Sequence, residues 1–137
     1  MTKCSHGKAG DQLWVREAWR TLKEADKLPP RDLNAAHRIW FEADNDHQEG
    51  SGKLRPSMFM PRLASRITLE ITSVRVERLQ DISEADATAE GTPHSLKHPA
   101  GRTAIENYEH LWECLNGDDS WDLNPWVWVI EFKKVKP

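Results

Sequence analysis

Gly10-Asp-Gln-Leu-Trp-Val-Arg-Glu-Ala-Trp19 opens with a turn signal and continues as a strand that carries both aromatic and charged residues. Trp14, Arg16 and Trp19 need a surface other than an aliphatic core, and an aromatic plane beside a guanidinium suits a flat polar ligand such as a nucleobase. Glu17 adds a carboxylate to that surface. The alternative is that both tryptophans are packing residues and that Arg16 and Glu17 form a solvated ion pair.

The length and composition of the chain predict one compact domain over residues 1–137. Seven tryptophans and 38% hydrophobic residues are far from the composition of a disordered chain. The formal net charge of −3 argues against a strongly basic face that binds long duplexes, because that mode depends on many phosphate contacts. Local basic clusters are still compatible with this charge.

The cysteines and histidines lack the spacing of a metal site. Cys4 and Cys114 are far apart, and His94 and His98 are flanked by prolines that disfavour a helix between them. No metal and no cofactor is therefore predicted. No apolar run approaches the ~20 residues of a membrane span and no signal peptide is recognisable, so we expect a cytoplasmic protein without a membrane partner.

A long polar segment follows the first strand. Residues 23–55 contain two successive prolines and a run rich in Asp and Gly, which indicates an insertion or flap. Within it, residues 37–41 alternate as a short strand with Ile39 and Phe41 on one face. Long loops in a compact domain are usually either functional lids or disordered, so this segment is a candidate cover for a substrate, with disorder as the alternative.

The alternating pattern from residue 65 to residue 79 predicts another strand, whose hydrophobic phase slips at Thr72-Ser73. A β-bulge or a tight bend at that point would re-aim the second half of the strand. Arg62 and Arg66 lie where the strand begins and are candidates for phosphate or carboxylate contacts. The alternative is that they are surface arginines on an antiparallel sheet.

Two short helices have chemically marked ends. The first begins after Ser83 and ends near Gly91, which puts Glu90 at its C-terminal end. The second begins at Thr103 with a capping-box sequence and ends near Gly117. A final strand of alternating β-branched and aromatic residues follows. Several strands, two short helices and no βαβ rhythm predict an α+β protein built on a small mixed β-barrel.

Five short motifs occur in an order that resembles one known family. They are Gly10-Asp-Gln-Leu-Trp-Val-Arg16, Arg66-Ile-Thr-Leu-Glu-Ile-Thr72, Leu79-Gln-Asp-Ile-Ser83, Ala89-Glu-Gly91 and Trp126-Val-Trp-Val-Ile-Glu-Phe132. Together they look like the ASCH domain family, and the sequences of these motifs are similar to those of ASCH proteins of phages and prophages. The resemblance spans most of the chain apart from residues 23–55. It implies a small barrel of the PUA-like superfamily and a location inside a bacterial host cell.

The resemblance also implies a connection with nucleic acids or nucleosides. Members of the family are proposed RNA-binding modules, some cleave RNA, and some deacetylate N4-acetylcytidine with a Lys, a Thr and a Glu. Glu90 occupies the position of that Glu, but residues 1–9 do not reproduce the segment that carries the Lys and the Thr. Whether the chain is an enzyme is therefore left open. A short form that lacks the first family elements would expose a strand edge, which favours an oligomer or a partner protein.

Three functional hypotheses follow. In the first, the barrel mouth binds RNA or a modified nucleoside through Trp14, Arg16, Glu17, Trp19, Arg62 and Arg66, with Glu90 at the same opening. In the second, Glu90 is the general base of a hydrolase that acts on N4-acetylcytidine or on RNA. In the third, the chain is a phage protein that binds a host protein.

Overall fold

A computed structural model describes residues 3–46, 48–91 and 103–135. His94 and His98 lie outside these residues. Within them the chain is a small α+β protein, as the sequence predicts. The regular elements are strands β1 (Gln12–Trp14), β2 (Trp19–Arg20), β3 (Trp40–Phe41), β4 (Thr68–Arg78) and β5 (Trp126–Lys134), and helices α1 (Glu84–Ala89) and α2 (Ala104–Asn116). Neither of the two described helices is long and apolar enough to cross a membrane.

The strands form two sheets, one with the order β1-β4-β5 and one that pairs β2 with β3. β1 runs antiparallel to β4, with Gln12 opposite Glu70, and β2 runs antiparallel to β3, with Trp19 opposite Phe41. Of the short strand expected in residues 37–41, only Trp40–Phe41 is present, as β3. In the part of the chain that the structure describes, these strand orders do not close into a ring, so closure of a β-barrel stays a prediction.

The Gly10-Asp11 turn enters β1 through a bulge. The Gly10 amide donates to the Ile71 carbonyl over 2.8 Å, and the Ile71 amide donates to the Asp11 carbonyl over 2.9 Å. Gly10 and Asp11 therefore both lie opposite the single residue Ile71 of β4, which is the pattern of a β-bulge. Gly10 has a φ of 92°, a conformation that a side chain would strain. The glycine is therefore needed at the point where the first strand joins the sheet.

β4 also carries one residue more than the strand beside it. The Leu79 amide donates to the Pro125 carbonyl at one end, and the Val135 amide donates to the Thr68 carbonyl at the other. Eleven positions separate Thr68 from Leu79, whereas ten separate Pro125 from Val135. A difference of one residue is the count of a β-bulge, and it agrees with the phase slip in the sequence of this strand.

The chain divides into two compact units. The first comprises Met1–Ser73 and Glu131–Pro137, and its core consists of Trp19, Ala25, Leu33, Met60 and Ala64. Ala25 and Leu33 belong to the segment 23–55, which the sequence presents as an insertion or flap. That segment therefore contributes to the core of the first unit. Opening of the segment as a flap stays a prediction.

The second unit, Val74–Ile130, contains α1 and α2. Both helices begin as their sequences predict, because Ser83 accepts a hydrogen bond from the Asp86 amide and Thr103 forms a capping box with Glu106. The ring of Tyr108 lies 6.4 Å from that of Trp112 and 6.3 Å from that of Trp121, measured between centroids. These aromatic contacts join Tyr108 of α2 to Trp112 of the same helix and to Trp121 of the segment that follows it.

Candidate ligand-binding surface

Two guanidinium groups approach the indole of Trp14, the last residue of β1. The Arg16 guanidinium carbon lies 4.7 Å from the ring centroid and that of Arg62 lies 5.7 Å from it, both within cation–π range. Arg16 also donates a hydrogen bond to the Met58 carbonyl over 3.3 Å. Among the described residues, neither arginine forms an ion pair with a carboxylate. We call Trp14, Arg16 and Arg62 the Trp14 surface.

The neighbouring cation, Arg66, is fully engaged by two carboxylates. It donates to Glu17 over 2.9 and 2.8 Å and to Asp44 over 2.7 and 3.0 Å. Its guanidinium carbon also lies 3.9 Å from the centroid of the Phe41 ring. Hydrogen bonds to Glu17 and then to Asp44 hold the pKa of Arg66 above its ordinary value. Glu17 thus pairs with Arg66 and not with Arg16, and the predicted ligand contacts of Glu17 and Arg66 would compete with this network.

Trp19 is a core residue, which corrects its predicted place at a ligand surface. It is 0% exposed, and the guanidinium carbon of Arg55 lies 5.1 Å from its ring centroid. The physical reason is that β1 ends at Trp14 and a separate short strand begins at Trp19. The two tryptophans therefore do not share the alternation of one continuous strand.

Glu90 lies in the second unit, as the exposed residue that ends α1. Gly91 follows with a φ of 70°, as expected of a helix stop. Burial is the main cause that raises the pKa of Tyr108, and the negative charge of Glu90 raises it further. Its role as a general base, and its place beside the other predicted residues, stay predictions.

The raised pKa of Tyr108, which burial causes first and Glu90 second, predicts that the stability of the fold depends on pH. The unfolded chain should lose the phenolic proton near the ordinary pKa of 10.0, before the folded chain does, so the free energy of unfolding should fall as the pH rises above that value. Tyr108 is the only tyrosine, so ultraviolet absorbance of the phenolate reports on it alone. Glu90→Gln should lower the pKa of Tyr108 without restoring its ordinary value, since burial remains.

The control for this titration is Tyr108→Phe, which should lack the phenolate signal and lose less stability at alkaline pH. A pKa of Tyr108 that is the same in the wild type and in Glu90→Gln would show that the carboxylate does not act on the phenol.

Several residues of the first unit were not predicted to be functional. Met58 and Phe59 are 66% and 55% exposed and lie in one short 3-10 helix. The carbonyl of Met58 accepts the hydrogen bond from Arg16. Arg55 is 5% exposed although it is an arginine. The prolines that flank this region indicate turns, but no local pattern indicates which side chains meet there.

Stacking of arginine on aromatic rings recurs in this chain. Among the described residues there are six such contacts, five of them in the first unit. Within the same described residues, no group of three His, Cys, Asp or Glu side chains could hold a metal ion. The chemistry of the candidate surface is thus that of guanidinium groups and indole rings.

A comparison with protein-family models, with curated proteins and with solved structures finds no match for this chain.

Proposed function

We propose that this chain is a binding domain for single-stranded RNA or a modified nucleoside, and that the Trp14 surface is its contact site. The observation that carries the proposal is that two exposed guanidinium groups approach one indole and neither has a carboxylate partner among the described residues. Closure of an ASCH-type barrel and an origin in a phage or prophage are part of the same proposal.

Two properties of the surface suit a nucleic acid. A guanidinium that rests on an indole loses less freedom on binding than a free side chain, because the ring already limits its rotamers. Its outward plane can stack on a base, and its N–H groups can donate to phosphate oxygens. By contrast Arg66, which two carboxylates already neutralise, would contribute little to phosphate binding.

The arrangement supports binding more directly than hydrolysis. The Trp14 surface supplies cations and an aromatic ring, which need no nucleophile to retain a ligand. Amide hydrolysis of the N4-acetylcytidine type would require an activated group beside Glu90, and Glu90 is an exposed residue at the end of a six-residue helix. Hydrolysis of N4-acetylcytidine is therefore the alternative activity, and the test includes this compound so that its turnover can be detected.

The test is a titration of a short fluorescent single-stranded RNA, a duplex of the same sequence and N4-acetylcytidine with the pure protein. We expect the single strand to bind more tightly than the duplex. Its affinity should fall with salt at a log–log slope of about −1 to −2, since each of two phosphate contacts contributes about −0.7.

Three results would contradict the proposal. The first is an affinity for single-stranded RNA that does not depend on salt. The second is turnover of N4-acetylcytidine that the variant Glu90→Gln abolishes. The third is absence of RNA binding together with nuclease-resistant capture of a host protein.

A further inference from the structure

A pocket of about 440 Å³ lies in the first unit, apart from the residues that define the Trp14 surface. Residues 26–30 and 53–56 line it together with Phe59. Its volume falls in the range of sites that hold small organic molecules, about 300–1,000 Å³. One of its lining residues is Arg55, and we call it the Arg55 pocket.

Arg55 carries a buried charge that no carboxylate neutralises among the described residues. Its two Nη atoms donate to the Leu28 carbonyl over 3.0 Å and to the Ala25 carbonyl over 2.8 Å. Its Nε is buried and has no hydrogen-bond partner in the protein. Two carbonyl dipoles and the Trp19 ring stabilise the guanidinium only in part, because a buried ion normally needs an opposite charge.

The other charges at the pocket are mostly positive. Lys27 and Lys53 line it with Arg55, and Asp26 is the one acid among its lining residues. The Lys53 amide donates a hydrogen bond to Oδ1 of Asp26 over 2.9 Å, so one oxygen of this carboxylate already has a backbone partner. Three cations against one carboxylate favour an anionic occupant.

The rest of the lining is apolar. Leu28, Leu54, Phe59 and three prolines supply it, and Phe59 is 55% exposed at this site. A ligand with an anionic end and a flat or apolar body would match both parts of the lining.

We infer that the Arg55 pocket binds a small organic oxyanion, in which a phosphate or a carboxylate is attached to a ring, and that Arg55 supplies the counter-charge. This site does not depend on the proposed binding of RNA, because none of its lining residues belongs to the Trp14 surface.

The inference is tested by titration calorimetry with two matched pairs of probes. Cytidine 5′-monophosphate is compared with cytidine, and benzoate with benzamide, so that each anion has a neutral analogue. We expect at least one anion to bind about tenfold or more tightly than its analogue. The preferred pair then tells a phosphate site from a carboxylate site.

Two variants locate the site. The double variant Lys27→Gln, Lys53→Gln changes exposed residues and should reduce that preference by several-fold while the fold is retained. Arg55→Met should abolish it, and circular dichroism shows whether this variant is folded. The double variant Arg16→Ala, Arg62→Ala should keep the preference, which separates this site from the Trp14 surface.

The inference is overturned if each anion binds no better than its neutral analogue, or if neither of the two anions binds at millimolar concentration. It is also overturned if the lysine double variant keeps the full preference, or if Arg16→Ala, Arg62→Ala removes it.

Discussion

Replacing Trp19 with alanine is expected to lower the free energy of unfolding by about 3–5 kcal/mol. The side chain is fully buried among Ala25, Leu33, Met60 and Ala64, so the substitution leaves a large cavity in the core of the first unit. It also removes the ring on which the Arg55 guanidinium rests, which makes that buried charge harder to accommodate. Urea denaturation followed by circular dichroism measures the loss.

The matched control is Trp14→Ala, which removes the same side chain from a partly exposed position. Its cost should be smaller, because solvent already reaches the ring and no closed cavity forms. Trp19→Phe should fall between the two. If Trp14→Ala were the more destabilising change, the assignment of Trp19 to the core and of Trp14 to the surface would be wrong.

The double variant Arg16→Ala, Arg62→Ala is expected to weaken binding of single-stranded RNA about 30-fold, as two contacts of about 1 kcal/mol each would give. The dependence of the affinity on salt should weaken as well, with the slope reduced by about 1.4. Both changes follow from the loss of the two guanidinium groups at Trp14. Fluorescence anisotropy over a range of salt concentrations measures both.

The matched control removes two arginines elsewhere. Arg78 lies over Trp126 with a distance of 4.2 Å to the ring centroid, so it reproduces the arginine–tryptophan contact in the second unit. Arg31 has a side chain that is 86% exposed. The double variant Arg31→Ala, Arg78→Ala changes the net charge by the same amount and should retain most of the affinity. Equal losses in the two double variants would mean that net charge, and not the Trp14 surface, determines binding.

The features that the sequence predicts well are those fixed by neighbouring residues. Ser83 and Thr103 begin helices because their side chains bond to amides three residues later, and Gly91 and Gly117 end them with positive φ. Each of these signals lies within one or two helical turns of the element that it sets. The helices of the second unit could therefore be predicted from local chemistry alone.

The site depends on contacts between distant residues, which the sequence does not specify. Arg66 is 49 positions from Glu17, and Arg16 is 42 positions from the Met58 carbonyl that holds it. The sequence shows each of these groups as a candidate but does not tell which carboxylate neutralises which arginine. The predicted place of Trp19 is wrong for a local reason, because the break between β1 and β2 has no glycine or proline to mark it.

In the segment 23–55, the sequence pattern does not predict which residues are buried. Its composition is that of a polar loop, yet Ala25 and Leu33 pack against Trp19 in the core. Ala25 lies in one short 3-10 helix and Leu33 follows another, and two isolated apolar residues do not produce a helical or strand period. Their burial follows from the aromatic ring that they cover.

The most direct test of the account uses the indole N–H signals of the seven tryptophans in a ¹H–¹⁵N spectrum. Each signal is assigned by a single Trp→Phe substitution, and single-stranded RNA is then added. We expect the signal of Trp14 to shift the most and that of the buried Trp19 to shift little. A Trp14 signal that stays in place while the RNA is bound would contradict the claim that this indole and its two arginines form the contact site.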